Sequence, residues 1–173
     1  VKMSNVLGAV LIEIYPDLMP RWQRIIKRGI DIAVAIFVIL ILWPLYLFIA
    51  IKVKLSSKGP IFYYQQRVGI NSKPFTIIKF RSMFVTAEDN GPALSSENDE
   101  RITTWGKVMR KWRFDELPQI FNILKGEMSL VGPRPERQFY IDQITKIAPS
   151  YKHLQKVKPG LTSWGMVKFG YAS

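Results

Sequence analysis

An uncharged hydrophobic run of 20 residues, from 32 to 51, dominates the pattern of polar and apolar positions. A straight helix of this length reaches across the ~30 Å hydrocarbon core of a bilayer. Basic residues flank the run on both sides, with Lys27 and Arg28 before it and Lys52 after it. Because basic flanks favour the cytoplasmic side, the pattern favours a re-entrant helix that dips into the membrane and returns. Pro44 predicts the bend, since proline removes a backbone donor and clashes with the preceding turn.

The sequence alone leaves two alternatives for this run open. A kinked helix that crosses the bilayer would fit its length and would place residues 22 and 56 on opposite sides of the membrane. A buried core helix would fit its apolar composition.

The pattern changes to that of β-strands after the turn residues at 56–60. Aromatic and β-branched runs flank a polar stretch that contains Gly69, which predicts a small β-hairpin over 61–80. A polar segment at 86–100 that is rich in acidic residues predicts a long loop.

The N-terminal stretch is apolar but interrupted by Pro16 and Pro20, which favours a strand or an extended arm over a helix. Three segments are therefore expected. They are a lead-in over 1–20 that belongs to a larger protein with an upstream domain, the membrane helix over 21–58, and a globular domain over 59–173.

Helical spacing returns at residues 99–113, where Trp105 and Trp112 share an apolar stripe and basic residues occupy the rest. Such a helix suits the headgroup layer of a membrane, and it equally suits packing on the protein's own core. A second helix is expected to follow, with Asp115 as its N-cap and Gly126 as part of its stop signal.

The remaining pattern predicts a short apolar strand in the segment 129–135, a long helix over 136–156 and a turn-rich segment over 157–165. The expected fold class is therefore α/β and mainly α.

Composition narrows the possible chemistry. Lys and Arg total 25 against 13 Asp and Glu, and this formal net charge of +12 suits anionic lipids, nucleotide phosphates or nucleic acid. Nucleic-acid binding leaves the hydrophobic run unexplained. The chain has no cysteine, which excludes disulfides and thiolate catalysis, and its single histidine, His153, argues against a histidine-rich metal site.

Asp115 and Glu116 are the candidate chemical groups. An acidic pair at a helix start is often only a cap that complements the helix dipole. However, phosphoryl transfer needs an exposed carboxylate as nucleophile or Mg²⁺ ligand, together with fixed cations that neutralise phosphate oxygens. Arg110 precedes the pair, and Arg134 lies between two prolines that limit its backbone.

Three motifs give the chain a family resemblance: KFRSM at 79–83, the run KVMRKWRFDELPQIFNILKGEMSLVGPRP at 107–135, and KPGLTSWG at 158–165. They closely resemble the bacterial sugar transferases called monotopic phosphoglycosyl transferases, which are polyprenyl-phosphate hexose-1-phosphate transferases. The residues at 27–31 and the Pro-broken hydrophobic run match that family's re-entrant helix. The resemblance extends over about residues 21–169.

The resemblance implies a monotopic membrane protein with a re-entrant helix, interfacial amphipathic helices and a catalytic domain over 59–173 whose C-terminal end continues in other members. It implies that Asp115 attacks the β-phosphorus of a nucleoside-diphosphate sugar and that Glu116, with Asp115 beside it, holds Mg²⁺. Arg110 and Arg134 match cationic positions near the phosphates or the nucleotide. The remaining basic candidates are Lys79 and Arg81. Pro44 matches the helix break, although Trp43 replaces the small or polar residue that often precedes it.

The implied function is transfer of a sugar 1-phosphate, most typically from a UDP-sugar, to undecaprenyl phosphate through an aspartyl-phosphosugar intermediate. Such transfer initiates exopolysaccharide, O-antigen or glycoprotein glycan assembly. The implied location is the cytoplasmic face of the bacterial inner membrane, in contact with anionic lipids and without nucleic acid. An oligomer is left open. A different class, a catalytically silent membrane module that docks glycan-assembly partners, predicts the same anchor but no need for Asp115.

Overall fold

The computed structural model describes residues 2–6, 9–13, 19–88, 91 and 99–169. In chain order the strands are β1 (Lys2–Val6), β2 (Ala9–Glu13), β3 (Phe62–Val68), β4 (Pro74–Phe80), β5 (Ser129–Val131) and β6 (Gly160–Thr162). The helices are α1 (Arg21–Ser56), α2 (Thr104–Trp112), α3 (Gln119–Lys125), α4 (Gln138–Ile147) and α5 (Trp164–Phe169). The described part of the chain is thus mainly helical, as expected, with small two-stranded sheets.

The hairpin predicted over 61–80 is confirmed. β3 and β4 pair antiparallel from Phe62 opposite Phe80 to Val68 opposite Pro74. β1 and β2 also pair antiparallel, in agreement with the strand predicted near the N-terminus. The loop predicted at 86–100 lies largely outside the described residues.

α1 is one helix of 36 residues that contains Pro44. By length and composition it could cross a membrane, and its buried side chains are Asp31, Ala35, Ile49 and Val53. An apolar helix with so much exposed surface is best accommodated by an apolar environment outside the protein. The bend at Pro44 and the return to the starting face stay predictions.

Both halves of α1 contact the same globular part of the chain. In the N-terminal half, the Asp31 carboxylate accepts hydrogen bonds from the Ser129 hydroxyl at 2.8 Å and the Leu130 amide at 3.0 Å. In the C-terminal half, Val53 is buried in an apolar cluster with Phe80 of β4. α1 therefore lies along the domain instead of leaving it at one end.

Two apolar clusters form the described core. The first joins α1 to β4 and α3 and contains Ala35, Ile77, Ile120, Ile123 and Met128. The second joins α1 to β4 and α2 and contains Ile49, Val53, Phe80 and Met109. Burial of each large aliphatic side chain contributes ~1.5–3 kcal/mol, so the two clusters fix the hairpin and the short helices against α1.

The predicted start of α2 at residue 99 is wrong. The helix begins at Thr104 because the Thr103 hydroxyl caps it, accepting a hydrogen bond from the Gly106 amide at 2.9 Å. Ile102 is still extended and forms a β-bridge with Met83. On α2, Trp105 contacts Phe48 of α1 at 6.0 Å between ring centroids, whereas Trp112 is exposed. Core packing therefore accounts for the first tryptophan only.

The helix predicted over 136–156 is also interrupted. α4 ends at Ile147, and the chain continues as a 3-10 helix from Pro149 to Lys156. Pro149 lacks the amide hydrogen that a continuous α-helix needs at this position. The segment predicted to be turn-rich instead contains β6 and α5.

Candidate active site

The acidic pair lies in a short 3-10 turn, Phe114–Glu116, which we call the acidic turn. α2 ends at Trp112, and the left-handed backbone of the next residue, Arg113 (φ 59°, ψ 22°), reverses the chain into this turn. Asp115 and Glu116 are both buried, each 8% exposed. The expectation that Asp115 caps a helix is wrong, because Pro118 precedes the first residue of α3 and no side-chain hydrogen bond caps that helix.

Glu116 is held by two cations. Its Oε1 lies 3.1 Å from Lys79 Nζ on β4, and its Oε2 lies 2.7 Å from Arg113 Nη2. Burial acts to raise the pKa of Glu116, but Lys79 and Arg113 outweigh burial and hold this pKa below its usual value. Glu116 is therefore an ionised, well-anchored carboxylate.

Asp115 is placed differently. Its Oδ1 is buried and accepts no hydrogen bond within the described part of the chain. Burial raises the pKa of Asp115; the charge of Lys79 opposes this shift, and that of Glu116 adds to it. A buried carboxylate oxygen without a partner is unfavourable in a purely structural role, because desolvation is not repaid by a hydrogen bond.

Arg110 joins this site from the last turn of α2. Its Nε donates a hydrogen bond to the Ser82 hydroxyl at 3.0 Å, and its charge lowers the pKa of Asp115. Burial lowers the pKa of Arg110 itself, and Asp115 opposes that effect. The structure thus places Arg110 and Lys79 close enough to the acidic turn for their charges to act on Asp115.

Arg134 reaches the site from the loop after β5. Its charge lowers the pKa of Glu116, and its Nε lies 3.6 Å from Glu136 Oε1. The loop is positioned by parallel pairing of β5 with β6, extended by a hydrogen bond from the Gly132 amide to the Thr162 carbonyl at 3.0 Å. Sequence reasoning missed β6.

The close approach of two glycines explains this pairing. A Cβ on Gly132 or on Gly160 would overlap the backbone of the facing segment. The Gly160 amide also donates to the Pro133 carbonyl at 2.9 Å. Glycines inside the two motifs GPRP and KPG were the signal that could have revealed the contact.

Arg81 is placed elsewhere by its contacts. Its Nη1 and Nη2 donate to the carbonyls of Lys58 at 3.1 Å and Ser57 at 2.7 Å, in the turn that follows α1. The side chain is only 4% exposed. These contacts hold Arg81 against the end of α1. A role for Arg81 in binding substrate phosphate, which the family resemblance suggests, stays a prediction.

Arg113 belongs to this site, although the sequence placed it only among the basic residues of the helix predicted over 99–113. Its ion pair with Glu116 spans three residues. That spacing is visible in the sequence, but the sequence pattern placed Arg113 and Glu116 in two different helices.

The acidic turn fits a magnesium ion in a limited way. No group of three or more His, Cys, Asp or Glu side chains arranged as metal ligands occurs in the described ranges. Mg²⁺ is commonly bound by one or two carboxylates together with substrate phosphates and water. The partnerless Oδ1 of Asp115 is one such donor, and the Glu116 oxygens beside Lys79 and Arg113 keep lone pairs that could serve as others.

Comparison with known proteins agrees with these motifs. The UDP-N-acetylgalactosamine-undecaprenyl-phosphate N-acetylgalactosaminephosphotransferase of Aeromonas hydrophila is 47% identical over 148 residues, 86% of this chain and 35% of the relative. The UDP-glucose:undecaprenyl-phosphate glucose-1-phosphate transferase of Escherichia coli K12 is 37% identical over 166 residues, 96% of this chain and 36% of the relative. A transferase of the same name from Xanthomonas campestris is 44% identical over 139 residues, 79% of this chain and 28% of the relative.

This chain spans about a third of the length of these relatives. The family model for bacterial sugar transferases matches it from residue 22 to residue 173, which includes α1, the acidic turn and the Arg134 loop. The chain belongs to the bacterial sugar transferase family.

Proposed function

We propose that this protein transfers a sugar 1-phosphate from a UDP-sugar to undecaprenyl phosphate and so initiates assembly of a membrane-linked glycan. The relatives above are named as transferases for these two kinds of substrate. The observation that carries the proposal is the buried Asp115 carboxylate, whose Oδ1 accepts no hydrogen bond in the described ranges while the charges of Lys79 and Arg110 act on it.

In the first proposed step, Asp115 Oδ1 attacks the β-phosphorus of the donor. A bond forms between that oxygen and phosphorus, and the bond from phosphorus to the oxygen that bridges to the α-phosphate breaks. Uridine monophosphate leaves with the electron pair, and an aspartyl-phosphosugar ester remains on the protein. Covalent catalysis of this kind divides one difficult displacement into two easier ones.

In the second proposed step, a phosphate oxygen of undecaprenyl phosphate attacks the same phosphorus. The bond from phosphorus to Asp115 breaks, which restores the carboxylate and yields an undecaprenyl-diphosphate sugar. No net proton transfer is required, because both attacking groups are already anionic. This agrees with the single histidine of the chain having no assigned role in the site.

The basic residues of the site have separate tasks in this proposal. Lys79 and Arg113 keep Glu116 ionised and fixed through the contacts at 3.1 and 2.7 Å. Arg110 and Arg134 contribute guanidinium groups that can bind phosphate oxygens in a bidentate manner and stabilise the charge that develops on them. Without these cations, a diphosphate could not approach two adjacent carboxylates.

Magnesium is proposed to bind at the acidic turn through carboxylate oxygens of Asp115 and Glu116. When bound, the ion supplies Lewis-acid stabilisation of charge on the donor diphosphate.

The proposed location is the cytoplasmic face of the inner membrane, with α1 re-entrant. Contacts of both halves of α1 with one domain support it, because a straight crossing would carry one set of contacts to the far side of the bilayer. At the headgroup plane, undecaprenyl phosphate would present its phosphate to the site already concentrated and oriented.

The test uses protein in lipid vesicles with a UDP-sugar, Mg²⁺ and no acceptor. UDP-N-acetylgalactosamine and UDP-glucose are the donors to try first. We expect a burst of uridine monophosphate about equal to the number of sites, with a phosphosugar adduct on Asp115 identified by peptide mass spectrometry. Asp115→Asn should abolish both, whereas Asp142→Asn, an exposed aspartate on α4, should change neither.

Glu116→Gln separates the two acidic roles. It should slow the burst, and added Mg²⁺ should restore part of the rate, whereas added Mg²⁺ should not restore Asp115→Asn. An adduct on another residue, or a full burst in Asp115→Asn, would overturn the assignment of the nucleophile. Activity with neither adduct nor burst would favour direct transfer between the two substrates.

A further inference from the structure

The apolar helix α1 is bonded directly to the segment that follows the acidic turn. The Tyr46 hydroxyl donates a hydrogen bond to the Leu117 carbonyl at 2.7 Å. Leu117 is the residue immediately after Glu116, and its carbonyl also accepts a bond from the Ile120 amide at 3.2 Å. Tyr46 lies 71 residues earlier in the chain, so this contact fixes the backbone of the site from outside its own segment.

The Tyr46 ring is itself fixed. Its centroid lies 5.9 Å from that of Phe80 and 6.2 Å from that of Phe121, both in tilted or edge-on geometry. Aromatic contacts of this kind hold a ring in one orientation. Packing between α1, β4 and α3 therefore fixes the ring with its hydroxyl directed at the Leu117 carbonyl.

The backbone matters here because the Asp115 carboxylate has little side-chain support. Its Oδ1 accepts no hydrogen bond in the described ranges, while the neighbouring Glu116 is held at both carboxylate oxygens. The direction of the Asp115 side chain therefore depends on how the acidic turn is held. The turn is fixed through the side chain of Glu116 and, one residue later, through the carbonyl of Leu117.

We propose that Tyr46 is a positioning residue that holds the acidic turn against α1 and thereby aims the Asp115 carboxylate. The proposal rests on the proposed function. Reaction by direct attack needs the reacting atoms aligned within a narrow range, so loss of one backbone anchor should slow attack without preventing donor binding. Because Tyr46 lies two residues after Pro44 in α1, a shift of this part of the helix would also shift the Asp115 carboxylate.

The test compares Tyr46→Phe with the wild-type protein in the acceptor-free burst assay. The variant keeps the ring and removes only the hydroxyl. We expect the burst rate constant to fall roughly two- to tenfold, the effect of one neutral hydrogen bond, while the burst amplitude and the donor concentration for half-maximal rate stay unchanged. Tyr64→Phe, which removes a hydroxyl from an exposed ring on β3, is the matched control and should behave as wild type.

A role in stability alone gives a different result. It would lower the burst amplitude, which counts folded sites, and leave the rate constant per site unchanged. Either that outcome or a burst identical to that of the wild type overturns the proposal. Hydrogen–deuterium exchange of the peptide 114–121 gives a readout that does not need the reaction. Unchanged exchange in Tyr46→Phe overturns the proposal, because the turn is then not held by Tyr46. Faster exchange together with a wild-type protein that gives no burst would keep the anchor of the turn and reject the proposed function.

Discussion

Lys79 Nζ lies 3.1 Å from Glu116 Oε1, so β4 supplies the cation that faces the acidic turn. The same charge lowers the pKa of Asp115 and the pKa of Glu116. A residue near the open end of the hairpin thus opposes the effect of burial on the pKa of both carboxylates.

Lys79→Met should shift the acidic side of the pH profile of the burst rate to higher pH. The proposed nucleophile must be ionised, and removing Lys79 leaves burial and Glu116 to raise the pKa of Asp115 further. The burst rate should therefore begin to fall at a higher pH than in the wild type as acid is added, and its plateau should also drop.

The control is Lys73→Met, which removes the same charge from the exposed end of the hairpin and should leave the acidic side of the profile in place. If the burst rate of Lys79→Met falls at the same pH as in the wild type and the Asp115 adduct forms normally, Lys79 does not act on the nucleophile.

The hydrogen bond from Arg110 Nε to the Ser82 hydroxyl should orient the guanidinium. Arg110→Lys keeps the charge but loses the planar donor set, and we expect the burst rate to fall on the order of tenfold or more. Ser82→Ala should cause a smaller fall, because it removes only the orienting partner.

A double-mutant cycle checks this orientation. In a protein that already carries Arg110→Lys, the further change Ser82→Ala should lower the burst rate only slightly, since the two residues act through one hydrogen bond. Additive losses would mean that Ser82 and Arg110 contribute independently.

The sequence predicted those parts of the fold that depend on local pattern. The hairpin over 61–80 followed from two β-type runs around Gly69, and α1 followed from its uncharged run. The family motifs, and not the spacing, singled out Arg110, Lys79 and the acidic turn as candidate site residues.

The rest depended on contacts between distant residues. β6 has only three residues, too few for a periodic signal, and is defined by its pairing with β5. Arg81 is basic and lies in the motif KFRSM, but only the folded chain brings the carbonyls of Ser57 and Lys58 to its guanidinium. The position of Tyr46 against Leu117 is likewise invisible in a linear pattern, because the two residues are 71 positions apart.

Gly106→Ala should destabilise the protein although alanine favours helices by up to ~1 kcal/mol over glycine. A Cβ at this position would overlap the backbone carbonyl oxygen of Ser82, which is not a flexible side chain that can move aside. Overpacking of this kind costs ~1–3 kcal/mol, so the clash should outweigh the helix propensity and lower the thermal unfolding temperature.

Gly29→Ala is the matched control within α1, since a Cβ there meets nothing within 4 Å. It should leave the unfolding temperature unchanged or raise it slightly. A neutral Gly106→Ala would mean that α2 and the segment at 81–83 can separate without cost.

Pro44→Ala should restore the hydrogen bond that proline prevents and favour a straight α1. A straight helix of 36 residues is about 54 Å long, which exceeds the ~30 Å hydrocarbon core. We expect a shift towards a spanning topology and a loss of turnover, because the acidic turn would be drawn away from the headgroup plane. Leu40→Ala, an exposed change on the same helix, should have neither effect.

Single cysteines report the topology on a background without native cysteine. Gln23→Cys and Lys58→Cys should react with an impermeant thiol reagent from the same side of the vesicle in the otherwise wild-type protein, and from opposite sides in part of the Pro44→Ala population. The contacts of Asp31 with Ser129 and Leu130 oppose this shift, so adding Asp31→Ala should enlarge the spanning fraction. If the two cysteines are labelled from opposite sides when Pro44 is present, the re-entrant helix is refuted. If they are labelled from the same side in Pro44→Ala and activity is full, the contacts along α1, and not the proline, set the path of the helix.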